Sequence, residues 1–313
     1  MKGLGAKITI CLLAMLALLP LRVLYLLGDL AYVIIYYLWR YRREIVKKNL
    51  RSSFPDYSDK ELIVIERQFY HHFCDLMAEE LKMLNMSDKE RRRRIIVKGT
   101  ELYEQAVSES NPIFVFGAHI GNWEWTPEIS SRVTHPRVRA GIYQPPRNSF
   151  SDSVMLRMRE RIYPGVIMIP QNKTALTLIR LKEKYGCYQF WLNSDQCPIR
   201  SGVKYWTSFL NQDTPYIAGG EAIGRKVNAI FLFAHVTKTR RGYYELTLRE
   251  VRPTAEELAN KDGNPYSLAY MRMLEENIRE QPEIYLWTHN RWKYRREINA
   301  DGTWKVIDTR KLR

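Results

Sequence analysis

Beyond Gly99 the chain alternates short apolar stretches with longer amphipathic ones, and this alternation restricts the possible folds more than any other feature of the sequence. The strand-like stretches are PIFVF at 112–116, VRAGIY at 138–143, GVIMIP at 165–170 and CYQFWLN at 187–193. Helical stretches separate them at about 151–162 and 175–185. Because strands that alternate with helices pair through crossover connections, the pattern predicts an α/β fold with a largely parallel central sheet flanked by helices.

The sequence on either side of this region adds an antiparallel pair and a long helix. The apolar stretches 229–237 and 243–251 are joined through Arg241 and Gly242, which predicts two antiparallel strands that extend the sheet. Upstream, 49–56 (NLRSSFPD) is interpreted as a turn, and Ser58 with Glu61 three residues later predicts the start of a helix that ends near residue 84.

Two polar patterns lie in this upstream region. His71, Asp75 and Glu79 are spaced four residues apart and line one face of the predicted helix, which favours paired polar groups over a metal site. The run Arg91 to Arg94 predicts a solvated or phosphate-facing turn.

The N-terminal segment is strongly apolar, with Arg22 as the one charged residue between positions 8 and 27, and the apolar character resumes over 30–39. No small-x-small cleavage pattern closes the run, so a retained membrane anchor over 1–39 is favoured over a secretory signal. Residues 40–313 then form the α/β domain, with a helical portion at its N-terminal end. A basic cluster follows the anchor and comprises Arg40, Arg42, Arg43, Lys47, Lys48 and Arg51. This cluster places the body on the cytoplasmic side if the anchor spans the membrane, or binds anionic headgroups if the anchor lies in the interface.

Composition limits the class of partner. The hydrophobic content of 45% supplies a real core and excludes a disordered chain, and a net charge of +15 implies an anionic partner such as nucleic acid, anionic lipid, a phosphorylated glycolipid or an acidic protein. The four cysteines, Cys11, Cys74, Cys187 and Cys197, form no CxxC pair, so neither a disulfide framework nor a structural metal site is indicated.

The stretch VFGAHIGNWEW at 115–125 places His119 and Glu124 at the end of a buried strand, with Gly117 and Gly121 on either side of the histidine. Positions five apart on a regular helix lie about 140° from each other, so the two side chains share a face only if a turn, such as one at Gly121, intervenes. A carboxylate that fixes a histidine tautomer suits general base catalysis. The sequence contains no GxSxG, GxxxxGK[ST] or strand-linked GxGxxG, which disfavours an α/β-hydrolase nucleophile and the common nucleotide sites.

HIGNWE fits the H-x4-(D/E) box of the lysophospholipid acyltransferase superfamily. Further blocks, collinear along nearly the whole chain, resemble the bacterial lipid A late acyltransferases, the lauroyl and myristoyl transferase family. They are LLPLRVLYLLGD, RYRREIVKKNLRSSFPDYSDKE, GIYQPPRNSFSD with a following MRER, SDQCP, and PEIYLWTHNRWKYR.

The resemblance implies a set of site residues. His119 is the base that acts on an acceptor hydroxyl, and Glu124 is its orienting partner. The implied substrate-binding residues are Asn49, Tyr143, Arg147, Asn148, Arg159, Asp195 and Gln196. The family places arginine directly after the tyrosine, whereas this chain has Gln144 there and Arg147 three residues later, so the arginine that meets phosphate or the oxyanion stays open, as does the choice between Arg157 and Arg159. A turn or capping role is the alternative for Asp195. Membrane-interface or core packing is favoured over a substrate role for Trp287 and Trp292.

The activity implied is transfer of a fatty acyl group from an acyl carrier protein thioester to a hydroxyl of a lipid A precursor. The acceptor attacks directly, without a metal or nucleotide cofactor, at the cytoplasmic face of the bacterial inner membrane. Alternatives are an acyltransferase of the same family for an aminolipid or glycolipid, and a non-catalytic basic membrane protein that binds anionic lipid. HNRWKYRR interleaves basic and aromatic residues, yet no RRM, KH or helix-turn-helix pattern accompanies it, so nucleic acid is not an expected partner.

Overall fold

The computed structural model describes residues 2–133, 138–145, 148–261, 263–299 and 301–311. The strands in this part of the chain are β1 (Ile95–Lys98), β2 (Ile113–Gly117), β3 (Arg139–Tyr143), β4 (Val166–Pro170), β5 (Gln189–Asn193), β6 (Tyr205–Phe209), β7 (Gln212–Tyr216), β8 (Ile230–Arg240), β9 (Tyr243–Glu250), β10 (Tyr294–Ile298) and β11 (Trp304–Asp308). The helices are α1 (Lys2–Leu16), α2 (Leu21–Tyr32), α3 (Arg43–Ser53), α4 (Asp59–Met83), α5 (Asp88–Arg94), α6 (Thr100–Ser108), α7 (Ser149–Ile162), α8 (Thr174–Tyr185), α9 (Gly219–Lys226), α10 (Ala255–Leu258) and α11 (Pro265–Glu280).

Among the described residues, seven strands form the central sheet in the order β1-β9-β8-β2-β5-β3-β4. Every pair is parallel except β8 with β9, so the predicted α/β fold with a largely parallel sheet and an antiparallel extension is confirmed. All five residues of β2 are buried, because helices cover both faces of a parallel sheet, and this explains the uninterrupted apolar run before His119. Strand β1 and the hairpins β6–β7 and β10–β11 were not predicted.

Helix α4 begins at the predicted place, where Ser58 and Glu61 form a capping box. The turn predicted over 49–56 is wrong, because α3 continues to Ser53 and the chain turns only after it. The buried positions Val46, Asn49, Leu50 and Ser53 are spaced as one helical face, and packing of that face against the body stabilises the helix. The run Arg91 to Arg94 likewise ends helix α5 and is not a turn.

The N-terminal segment forms two helices with a break between them. Helix α1 ends at Leu16, Pro20 precedes α2, and α2 continues as a π-helix to Leu38. The continuous apolar segment is therefore Leu21–Leu38, which by length and composition alone is a candidate membrane span, and the run 8–27 is interrupted at Pro20.

The two N-terminal helices pack against the body of the protein. Leu21, Leu24 and Gly28 of α2 are buried where this helix packs on α4. The opposite face is apolar but exposed, with Leu26 67% and Leu30 58% accessible. Helix α1 lies along α7. One face of the N-terminal segment thus packs on the protein, and the opposite face is uncovered.

Trp287 and Trp292 pack inside the protein, which is one of the two roles that the sequence favoured. Trp287 is fully buried and its Nε1 donates to the carbonyl oxygen of Pro282 at 2.6 Å. Trp292 is buried as well and donates to Thr214 Oγ1 at 2.7 Å. Neither lines the cavity described below.

Candidate active site

The chain turns sharply at the end of β2, through residues 118–124, which we call the corner loop. Gly121 has a φ of +58°, and a Cβ on it would lie 2.5 Å from Val236 Cγ1, so both the backbone conformation and the space require glycine. The Gly121 N–H donates to Ile284 O at 2.9 Å, and the Leu286 N–H donates to His119 O at 3.0 Å. The loop that carries His119 is therefore fixed by its backbone against residues 284–286.

Asp195 is the hydrogen-bond partner of His119. Because β2 and β5 are parallel neighbours, with Gly117 opposite Asn193, the residues that follow both strands lie at the same edge of the sheet. His119 Nδ1 lies 2.8 Å from Asp195 Oδ1, and the His119 backbone N–H donates to Oδ2 at 3.1 Å. When Nδ1 carries the proton and donates it in a hydrogen bond to the carboxylate, Nε2 is the free base, and it lies 3.3 Å from Gln196 Nε2.

This geometry corrects the role assigned to Glu124 as the orienting partner of His119. The Glu124 carboxylate points instead to Arg159, whose Nη2 and Nε donate to its two oxygens at 2.7 and 3.2 Å. Both side chains of the H-x4-E box line the same cavity, but the hydrogen bonds of Glu124 go to Arg159 and those of His119 to Asp195. Of the two arginines left open by the sequence, Arg159 lines the cavity and Arg157 is exposed on α7.

The electrostatics of the pair favour a basic histidine. Burial lowers the pKa of His119, but the charge and hydrogen bond of Asp195 outweigh it, so the pKa of the imidazole lies above its ordinary value. Burial also acts to raise the pKa of Asp195, while His119 holds it below the ordinary carboxyl value. An ionised Asp195 that stabilises an imidazolium is the arrangement that a general base requires.

Two titratable groups near the site, Glu80 and His289, were not predicted from the sequence. Burial, followed by the charge of Glu124, raises the pKa of Glu80 on α4 to about 8. Burial lowers the pKa of His289 to about 4, and the Nε2 of this neutral ring accepts from the Cys197 N–H at 3.1 Å. Glu80 lies between Glu79 and Leu81 in a helix of mixed polarity, so the local sequence does not signal its burial. For His289 the sequence offered only its position within the PEIYLWTHNRWKYR block.

A cavity of about 1180 Å³ opens beside His119. Its walls come from β3, β4, the end of β5, α7 and α9, and its apolar lining includes Ile142, Met155, Leu156, Ile167, Phe190, Leu192 and Ile223. Glu124, Tyr143, Arg159 and Gln196 from the predicted site also line it, together with Trp123 and Gln144. A large apolar cavity with a few polar groups and a base at one point suits a long aliphatic chain whose reactive end meets the base.

Of the predicted substrate-binding residues that the structure describes, Asn49, Asn148 and Asp195 are not part of this lining. Asn148 caps α7 by accepting from the Phe150 N–H at 2.9 Å. Asn49 is buried in α3 and donates to the carbonyl oxygens of Trp287 and His289 at 2.9 and 3.0 Å, which ties α3 to the segment that carries His289. Arg147 lies outside the described residues.

His71, Asp75 and Glu79 on one face of α4 form a polar stripe, and part of this stripe belongs to a further cluster away from the cavity. His71 lies 3.0 Å from Asp29 and 3.5 Å from Asp75, and these three residues can together hold a metal ion by distance. However, Arg241 donates to both carboxylates, and Lys238 lies 3.6 Å from Asp75. Because these two cations already neutralise the carboxylates, the arrangement favours the paired polar groups that the sequence indicated.

The fold and the site define an α/β protein in which a histidine paired with an aspartate faces a large apolar cavity. Residues 3–294 match the family model described as bacterial lipid A biosynthesis acyltransferase, and the chain belongs to this family. It is 24% identical over 255 residues to the lipid A biosynthesis palmitoleoyltransferase of Escherichia coli (strain K12), an alignment that covers 81% of this chain and 79% of that protein. The lipid A biosynthesis acyltransferase of Shigella flexneri is similar to the same extent. The resemblance noted from the sequence motifs is confirmed.

Proposed function

We propose that this protein transfers a fatty acyl group from an acyl carrier protein thioester to a hydroxyl of a lipid A precursor. The observation that carries the proposal is the His119–Asp195 pair beside the apolar cavity. His119 Nε2 takes the proton of the acceptor hydroxyl as its oxygen bonds to the thioester carbonyl carbon. The carbon–sulfur bond then breaks, and the thiolate leaves with the proton that the imidazolium returns. This sequence needs no covalent acyl-enzyme.

The negative charge that develops on the carbonyl oxygen needs a fixed donor. We assign this role, or the binding of an acceptor phosphate, to Arg159 together with nearby backbone N–H groups. Arg159 lines the cavity, and its bidentate contact with Glu124 holds the guanidinium in one position. A donor that is held before the reaction stabilises developing charge without reorganisation. Glu124 thereby acts on the reaction through Arg159.

For the membrane, we propose that residues 1–39 attach the protein to the bacterial inner membrane from its cytoplasmic face by lying in the interface. Spanning would pull the buried face of α2 away from α4, whereas interfacial binding covers only the exposed apolar face. Exposed Arg40, Lys47 and Lys48 follow this face and suit anionic headgroups. Since α1 packs along α7, which lines the cavity, this attachment brings the cavity close to a lipid acceptor.

The membrane contact predicts the behaviour of a double substitution, Leu26→Gln with Leu30→Gln. Removing two exposed leucines from the lipid contact costs about 1.5–3 kcal/mol each, so partitioning onto vesicles with anionic lipid should fall about 10²-fold or more. The measurement is vesicle co-sedimentation. Leu258→Gln on α10 is the matched control, since that leucine is 63% exposed and lies outside the N-terminal segment. Equal partitioning of the double variant and the control would contradict the assignment of this face.

The proposed donor is tested by comparing acyl carrier protein with coenzyme A as carriers of the same acyl chain. A net charge of +15 attracts a small acidic carrier protein, and salt shortens the screening length from about 10 Å at 0.1 M to about 3 Å at 1 M. We expect the KM for the acyl carrier protein thioester to rise with salt, and the coenzyme A thioester to be used less efficiently with a shallower salt dependence.

This comparison requires one acceptor and a constant detergent concentration, so that micelle changes affect both donors equally. Equal efficiency and equal salt slopes would show that the carrier surface is not recognised, and the donor assignment would fail. Activity of His119 variants in the same assay reports on the chemistry independently of the carrier.

A further inference from the structure

The polar stripe on α4 has one member that the ion pairs around Arg241 do not use. His71 and Asp75 contact Asp29 and the cations of the β8–β9 hairpin, but Glu79, one turn further along, does not. The Glu79 side chain is fully buried. A buried carboxylate is costly unless hydrogen bonds satisfy it, so its partners identify what it serves.

Three donors converge on the Glu79 carboxylate from three different elements. Tyr25 Oη of α2 donates to Oε1 at 2.9 Å, and Tyr244 Oη of β9 donates to Oε2 at 2.8 Å. The third donor is Asn122 Nδ2, at 2.8 Å from Oε2. Asn122 belongs to the corner loop, three residues after His119. Glu79 is therefore a direct link between the helical N-terminal portion and the loop that carries the base.

The position of the Asn122 side chain depends on this hydrogen bond to Glu79. Asn122 is 2% exposed, and within the described part of the chain its Oδ1 has no hydrogen-bond partner, so the bond to Glu79 holds the side-chain amide. Next to it, Gly121 lies against Tyr244, whose hydroxyl is oriented by the same carboxylate. On its other side the corner loop is held by the backbone bonds to residues 284–286. The Glu79–Asn122 bond and the backbone bonds to residues 284–286 thus hold the corner loop from two sides, and we call this arrangement the clamp.

We infer that Glu79 is a positioning residue of the reaction, which acts through Asn122 to hold the corner loop so that His119 stays in register with Asp195. The inference rests on the proposed function for its effect on turnover, but the clamp itself is a property of the free protein. A displacement of about 1 Å in a reacting group costs up to about 10²-fold in rate, so the effect of losing the clamp is measurable.

The test uses Glu79→Met, which keeps the length and packing of the side chain but removes the acceptor. We expect kcat to fall about 10- to 100-fold with little change in KM. Hydrogen exchange of the free protein should show the Gly121 and Leu286 amides, which are donors in the corner-loop bonds, exchanging at least about tenfold faster relative to the Phe116 amide in β2. Tyr25→Phe is the matched control, because it removes one bond from the same carboxylate without touching the corner loop.

Asn122→Ala approaches the same bond from the other side and carries the test if Glu79→Met does not fold. It should give the same exchange pattern, and the double variant should lose no more kcat than the more affected single variant, because both substitutions break one interaction. Glu79→Gln, whose amide can pair with Asn122, should restore part of the loss.

The outcomes separate the clamp from global stability and from the proposed chemistry. Equal acceleration at Gly121, Leu286 and Phe116 would make Glu79 a general stability residue and would overturn the inference. Unchanged kcat, or losses that multiply in the double variant, would overturn it as well. If His119→Ala retained activity while the exchange pattern appeared as expected, the proposed function would fail and the clamp would stand.

Discussion

Asp195→Asn is expected to lower kcat by about 10²–10⁴-fold while the protein stays folded, the magnitude typical of a general base that loses its correct protonation or tautomer. Asp195 uses one oxygen for His119 Nδ1 and the other for the His119 backbone N–H. An asparagine has a single acceptor. Its amide nitrogen must face one of these two groups, and facing Nδ1 places the ring proton on Nε2, where the base is needed.

The same variant should shift the pH dependence of kcat/KM. The reaction needs neutral His119, so activity rises as pH increases through the pKa of His119. In the unaltered protein Asp195 raises that pKa above its ordinary value, against the effect of burial. Without the Asp195 carboxylate, burial and Arg159 act to lower this pKa and the charge of Glu124 acts to raise it. Because burial is the largest of these effects, the acid limb should move to lower pH.

The measurement is a pH profile of kcat/KM for both proteins with one donor and one acceptor. Asp213→Asn is the matched control, because Asp213 pairs with Arg296 outside the cavity lining and should change neither kcat nor the profile. An unchanged acid limb with near-normal kcat in Asp195→Asn would show that Asp195 does not orient the base.

The second large effect is expected for His119→Ala, which should also lose about 10²–10⁴-fold in kcat with an unchanged melting temperature. The imidazole lies partly open at the cavity, and its truncation leaves the backbone bonds of the corner loop in place. His71→Gln serves as the control, since His71 lies in the cluster with Asp29 and Asp75 outside the cavity. Activity within a few-fold of the unaltered protein would remove His119 from the mechanism.

The parts of this structure that were predictable from sequence depend on local pattern. The apolar run before His119, the period of two or 3.6 in the strands and helices, and the capping box at Ser58 all act over a few residues. The placement of His119 at a strand end followed from the glycines that bracket it. The caution that positions five apart do not share a helical face also proved relevant, because Glu124 does not reach the imidazole.

The contacts that complete the site were not predictable in this way, because they join residues far apart in the sequence. Asp195 meets His119 across 76 residues only because β5 pairs with β2, and Arg159 meets Glu124 across 35 because α7 lies over the cavity. The H-x4-E spacing pointed to Glu124 as the hydrogen-bond partner of His119, but the sequence is equally compatible with Asp195 in that position. Only the order of strands in the sheet decides between them.

The N-terminal region shows a related limit. Hydropathy marked an apolar run over 8–27, but Pro20 divides it, and the longer apolar helix is Leu21–Leu38. Helix α3 was not predicted, because its four basic residues made the segment strongly polar. Its buried face consists of Val46, Asn49, Leu50 and Ser53. Charged residues on the outer face carry no information about packing on the inner one.

The most direct test of the proposed activity is mass spectrometry of the products when the purified protein is incubated with acyl-loaded acyl carrier protein and a lipid A precursor that has a free hydroxyl. We expect a product heavier than the acceptor by one acyl group, with an ester at that hydroxyl and stoichiometric release of free carrier thiol. His119→Ala should give no such product. An unmodified acceptor in the presence of active, folded protein, or equal product from His119→Ala, would contradict it.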